Sequence, residues 1–230
     1  FEIRYANGCI GEGLEYPGTD SVGRRGNMFR IHKSFDSHMP RCRGLNPLYT
    51  AEGEGNVGAI AYSTLCSMNE LYAQGARHGG QMIAATESAM LDGASIDTLL
   101  TGFEGHGMNS VGCYIRAKTI SFASRTASAS NIGLVLGNAS WLDGDHDCVL
   151  EAPLLGPFEG NSGVAAVRVF TPCAYPVLKN IHAQDVQKFL IHRDTSGSGT
   201  ETVSDLKVID CSVDGCADRV IDIQGKAAGG

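Results

Sequence analysis

Asn56-Val57-Gly58-Ala59-Ile60, Ser110-Val111-Gly112-Cys113-Tyr114-Ile115, Asn131-Ile132-Gly133-Leu134-Val135-Leu136 and Gly163-Val164-Ala165-Ala166-Val167 are versions of one phrase. Each runs from a polar or small residue through Val or Ile and a small residue into alternating apolar positions. Self-similarity at a fixed period decides a fold before any local reading does. Shorter echoes follow at Phe189-Leu190-Ile191 and Val220-Ile221-Asp222-Ile223. With Val57, Val111, Ile132, Val164, Phe189 and Ile221 as markers and Met82-Ile83 in the missing slot, six periods span 164 residues, a mean near 27. A second apolar pair precedes several phrases, at Ile96, Ile120 with Phe122, Ile181 with Ala183, and Leu206 with Val208. Each period therefore holds at least two short strands.

Inward and outward residues alternating over four to six positions are the signature of a strand. Strands this short cannot each bury a face alone, so stacking has to supply the core. The expected class is all-β, a parallel solenoid of about seven to nine coils. Leucine-rich repeats share the period, but no L-x-x-L-x-L consensus occurs and no helix punctuates each repeat. Val57, Val111, Cys113, Ile115, Ile132, Leu134, Leu136, Val167, Ile191, Val208 and Ile223 are expected to point inward. Leu65, Met68, Leu71, Tyr72 and Ala76 have helical spacing behind a Ser67-x-x-Glu70 capping box, which predicts one short helix over or within the stack. The chain divides as a single domain, with 1–55 as irregular or capping coils and 56–225 as regular coils.

Composition agrees. The chain has 230 residues, 30 of them glycine, and only 19% are charged, a skew toward turn-rich β structure. A net charge of −7 leaves no basic face for a phosphate backbone, so no nucleic-acid partner is expected. No apolar run reaches the length of a membrane span. The chain opens at Phe1 without an initiator Met, as a processed product or a piece of a longer protein would. Eight scattered cysteines without a C-x-x-C read as buried thiols acting as small hydrophobes. Cys211 and Cys216 alone are close enough to pair across one turn. Residues 24–43 are locally basic, through Arg24, Arg25, Arg30, Lys33, Arg41 and Arg43.

The densest acidic cluster is Asp143-Gly144-Asp145-His146-Asp147 with Glu151. It has three readings: a solvated loop, a Ca²⁺ site built from alternate carboxylates, or a pair of carboxyls for glycoside chemistry. Asp143, Asp145, Asp147 and Glu151 are the candidate catalytic residues. No metal or other cofactor is required, Ca²⁺ at the Asp143–Asp147 loop being the one open option. Trp141, the only tryptophan, stands beside the cluster as a stacking surface for sugar rings. Asp185, Asp210, Asp214, Asp218 and Asp222 form a second acidic set, expected to be compensated by Lys188, Lys207 or Arg219.

The repeated phrases, with Lys179-Asn180-Ile181-His182-Ala183 and Leu206-Lys207-Val208-Ile209-Asp210-Cys211, resemble the right-handed parallel β-helix (pectin-lyase-like) superfamily. Within it they are most like bacteriophage tailspike and tail-fibre domains. The resemblance covers roughly residues 55–225. It implies a right-handed helix and a homotrimer in a virion, outside the cell, that binds host surface polysaccharide alongside other tail proteins. Fold alone does not assign a function. Gly105-His106-Gly107 followed by Arg116-Ala117-Lys118 is similar in order to elements of the polygalacturonase-like members of that superfamily, and it makes His106, Arg116 and Lys118 candidate ligand-binding residues. The upstream acidic elements of that family are missing. The expected function is host attachment through glycans, with three alternatives: a polysaccharide-cleaving glycosidase or lyase of the same fold, a secreted bacterial β-helix adhesin, and a structural spacer.

Overall fold

The computed structural model describes residues 1–17, 27–46, 55–98, 100–105, 110–122, 131–137, 145–156, 165–170, 173–193 and 203–224. Among them every strand pair is parallel and there is no helix. The chain is an all-β parallel β-helix in which each coil starts on one long sheet and returns along another.

The first sheet holds nine strands, one per coil: Glu2–Arg4, Asn27–His32, Asn56–Ala61, His78–Ile83, Thr101–Gly105, Ile132–Leu136, Ala165–Phe170, Lys188–Arg193 and Arg219–Gln224. The second stacks Glu15–Tyr16, Arg43–Leu45, Tyr72–Gln74, Ala89–Thr98, Tyr114–Phe122, Val149–Leu155, Val177–Gln184 and Lys207–Ile209, with Ser212–Asp214 also on Val177–Gln184. A short third ladder joins Asp145–His146, Cys173–Ala174 and Val203–Ser204. Residues 1–17 and 27–46, within the segment expected to be irregular or capping, carry strands in register with the rest of the stack.

Corners explain how short strands close into coils. Lys33, Asp36, Arg41 and Asn46 in coil 2 have positive φ, as do Tyr62, Leu65, Glu70 and Gly75 in coil 3 and Ala84, Glu87, Asp92 and Asp97 in coil 4. The same spacing, three residues and then five and five, recurs down the stack. Each left-handed residue turns the chain and uses one position, so the inward period of two becomes three across a corner. Cys66, Met68, Leu71, Ala73 and Ala76 are all buried on that rhythm. This corrects the expected helix: the near-helical spacing of residues 65–76 arises from corners at Leu65, Glu70 and Gly75. Among the described residues, nine of the eighteen non-glycine corner residues are Asp or Asn, the types that tolerate left-handed angles at least cost.

The core fills by columns. Phe29, Ile31, Ile60, Met82, Phe103, Leu134, Val167 and Leu190 line the first sheet, and Met39, Met68, Met90, Ile115, Leu150 and Leu178 the second. Gly58, Gly80 and Gly93 make room for them: an added Cβ would fall 2.5 Å from Leu71, 2.8 Å from Phe103 and 2.6 Å from Phe103. The glycine of the repeated phrase thus has two uses, close approach at Gly58 and Gly133, and a bend at Gly112, where φ is +62.

The inward set holds at Val57, Cys113, Ile115, Leu134, Leu136 and Val167. Val111 is exposed, because Ser110-Val111-Gly112 lies at a corner rather than on a first-sheet strand. Ile132 and Ile191 are buried in a second cluster with Val135, Ala165 and Phe170. Val208 is in register with inward Leu178 but is exposed, since no further strand covers it among the described residues. The Ile223 side chain lies outside the described residues.

All eight cysteines are free thiols. Register places Cys9, Ser37, Cys66, Ser88, Cys113 and Cys148 in one inward corner column. Ser37, Cys66, Ser88 and Cys113 each donate to the carbonyl two residues earlier. Cys211 and Cys216 donate to different carbonyls, of Leu178 and Gln187, and are not paired.

Candidate functional site

Residues one coil apart on the outer face of the second sheet meet although they are far apart in sequence. Arg116 lies beside Leu91 on one neighbouring strand and Glu151 on the other, and Glu151 lies beside Lys179. From this register grows a continuous polar row. The Arg116 guanidinium donates through Nε and one terminal nitrogen to the two oxygens of Asp92, at 3.0 and 2.7 Å. Tyr114 donates its hydroxyl to one oxygen of Glu151, and the Asn180 amide donates to the other at 3.0 Å. Asn180 must present its oxygen on the far side, where it accepts from Nε2–H of His182 at 2.9 Å. Nδ1 of His182 then accepts from the Ser212 hydroxyl at 2.7 Å. The row crosses coils 4 to 8.

Local backbone geometry presents these groups. Asp92 and Asn180 are left-handed residues at points where strand register shifts, so each side chain leaves the plane of the ladder. Electrostatics then fix the charge states. Burial alone would raise the Glu151 pKa, but the Asn180 and Tyr114 hydrogen bonds, with the charges of Lys179 and Arg116, outweigh it and hold the carboxyl below its ordinary range. Burial, followed by the hydrogen bond to Glu151, raises the Tyr114 phenol. The hydrogen bond from Arg116 lowers Asp92. Glu151 is therefore an ionised acceptor, the state of a base or nucleophile rather than of a general acid.

Of the residues marked from sequence, Glu151 and Arg116 join this row, and Lys118 is exposed on the same strand. Asp147 is an exposed corner with φ of 51, in the same corner column as Gly112, Tyr175 and Asp205. The backbone of Asp145 lies in the third ladder; its side chain is outside the described residues. His106, Trp141 and Asp143 also lie outside them, and the Ca²⁺ option at the Asp143–Asp147 loop lies largely outside the described residues with them. Among the described residues, no group of three His, Cys, Asp or Glu side chains is arranged to hold a metal.

Asp92, Asn180, His182 and Ser212 are members that the sequence reading did not assign. Their signal is the coil period: Glu151 and Asn180 are 29 residues apart, and His182 and Ser212 are 30 apart.

The second acidic set divides. Asp185 and Asp210 are corners, whereas Asp222 is buried and pairs with Lys188 at 2.5 Å and Arg219 at 3.1 Å. A further polar cluster, Asn56, Gln81, Glu104 and His78, is buried on the first sheet. No family model, no curated protein and no solved structure matches this chain.

Proposed function

We propose that this chain is a β-solenoid segment of a virion host-attachment protein, a tailspike or tail fibre, which recognises cell-surface glycans as a homotrimer. The observation that carries the reading is the fixed polar row from Asp92 to Ser212. Its donors and acceptors are locked to one another before any ligand arrives, and they recur along the stack at strand spacing, about 4.8 Å. A sugar chain laid along the axis would meet hydroxyl-binding groups at a comparable repeat, with Tyr114 as an apolar edge and Lys118 and Lys179 exposed at the margin. Preorganised polar groups gain affinity because little side-chain freedom is lost on binding. Cleavage would need a carboxyl held protonated as the acid, and Glu151 is held ionised.

The test is retention of the chain on a panel of purified bacterial surface polysaccharides, read by calorimetry, with reducing-end release measured in parallel. Binding is expected to weaken about tenfold in Arg116→Ala. Failure of the chain to bind any polysaccharide in the panel sinks the attachment reading. Release of reducing ends would replace it with the depolymerase.

A further inference from the structure

The corner that leads toward the second sheet brings an acid, a base and a hydroxyl into line on coils 2 and 3. Asp36 is a left-handed corner residue with φ of 45, and His38 follows two positions later. Parallel register sets Ser67 of coil 3 beside His38. Nδ1 of the imidazole lies 2.9 Å from the Ser67 hydroxyl, and Nε2 lies 3.2 Å from Oδ1 of Asp36. A carboxylate can only accept, so Nε2 carries the proton and donates to Asp36. Nδ1 keeps its lone pair, and the Ser67 hydroxyl has to donate to it. Nucleophile, base and orienting carboxylate are thus wired in the order that activates a serine.

The same wiring recurs at Asn180, His182 and Ser212, but asparagine has no charge to set against an imidazolium. Asp36 has that charge, and it meets the one that appears on His38 when the ring takes the serine proton. The surroundings of Ser67 leave room for a substrate. In the outer column Ile10, His38, Ser67, Ala89 and Tyr114 follow one another coil by coil. Ala89 offers only a methyl group, and Tyr114 reaches on to Glu151 of the coil beyond. Ser67 therefore borders a notch two strand spacings wide, about 9–10 Å. Leu65 and Val111 are exposed on the coils that bound it. Asn69, two residues after Ser67, accepts the Leu91 N–H on its Oδ1 at 3.3 Å, which leaves its amide nitrogen as a donor. Glu87, exposed at the intervening corner, adds a second negative charge to that of Asp36.

We infer that Asp36, His38 and Ser67 form a hydrolytic site for uncharged carboxylic esters of short acyl chains, an activity independent of the glycan reading above. Ser67 Oγ bonds to the ester carbonyl carbon while its proton passes to His38 Nδ1, and the carbonyl electrons move to an oxyanion that the Asn69 amide meets. The oxyanion collapses, the bond to the alcohol oxygen breaks, and His38 returns the proton to that leaving oxygen. Water then attacks the acyl-serine in the same way: its proton goes to His38, the bond to Oγ breaks, and Ser67 is reprotonated as the carboxylic acid departs. Ser67 and His38 are the catalytic residues, and Asp36, which touches only the imidazole, is a positioning residue. Leu65 and Val111 receive the apolar acyl chain, and Asp36 and Glu87 disfavour anionic substrates.

The whole chain is treated with a fluorophosphonate, which reacts selectively with activated serines, and the modified residue is located by peptide mass spectrometry. Hydrolysis of p-nitrophenyl acetate is followed in parallel, with a pre-steady-state burst as the mark of the acyl-serine. The label is expected on Ser67, and Ser67→Ala is expected to abolish both label and burst. Asp36→Asn suits the left-handed corner and should lower kcat at least about a hundredfold with KM little changed. His38→Ala should regain part of its rate when imidazole is added, which a merely structural histidine would not. Thermal midpoints verify that each variant folds, and the wild-type label needs no variant. A wild-type chain not labelled at Ser67, or hydrolysis that survives in Ser67→Ala, overturns the site. Lower thermal midpoints in all three variants without any labelling overturn it in favour of a hydrogen-bonded tie between coils. Faster hydrolysis of the anionic p-nitrophenyl hemisuccinate than of the acetate overturns the substrate class.

Discussion

Glu151 keeps its charge in a place where burial opposes it, and two neutral donors make that possible. Its folded pKa lies below the ordinary 4.5, so the ionised form is favoured by folding. That contribution is complete above the unfolded value and is lost as the pH falls through the folded one. Urea unfolding followed downward from pH 7 should therefore show an acid limb that begins near 4.5, and Glu151→Gln should flatten it. Tyr114→Phe leaves one carboxylate oxygen short of a donor, which should cost about 1–3 kcal/mol and move the limb to higher pH. Superimposable acid limbs for the wild type and Glu151→Gln would contradict the assigned charge state. The sequence marks Glu151 as an acid among Asp143, Asp145 and Asp147, because those are its neighbours in the chain. Its partners in the fold come from other coils, so the cluster was legible and the network was not.

Coils show why local periodicity misleads in this chain. A strand period of two, interrupted by a corner every five residues, gives burial at 66, 68, 71, 73 and 76, which imitates a helix. Solenoid architecture and the mean period were legible, since inward columns repeat Val, Ile and Leu. The phase of Ser110-Val111-Gly112 was not, because a corner and a strand start can carry the same three residues. Two substitutions separate the roles. Leu65, exposed at a corner with φ of 54, should give a more stable chain as Leu65→Asn, by about 0.5–1 kcal/mol. Gly102 sits where a Cβ would meet the Gly133 carbonyl and the Ile120 side chain, both at 2.6 Å. Gly102→Ala should then destabilise by about 1–3 kcal/mol or more, since backbone cannot yield as a flexible side chain does. Thermal melts of both variants check the opposed signs.

Over the whole stack, stability should depend on how many neighbours a coil has. Each coil pairs only with those before and after it, so the molecule is close to a one-dimensional chain of coupled units. Burial follows that order. Ile60, Met82 and Leu134 in the middle coils are fully enclosed, whereas Ile221, in register with buried Leu190, is 56% exposed, and the strands Lys207–Ile209 and Glu2–Arg4 lie near the surface. End coils bury less apolar surface for the same ordering of backbone, so they should open first and without the rest. Native-state amide exchange tests this directly. Amides of Asn56–Ala61, His78–Ile83 and Thr101–Gly105 should be protected longest, close to the global unfolding limit. Those of Glu2–Arg4, Lys207–Ile209 and Ser212–Asp214 should exchange through local opening at rates independent of denaturant. Equal protection from end to end would mean that the terminal coils are covered in solution by another surface, for which the coil-to-coil pairing seen at every internal step is the natural form.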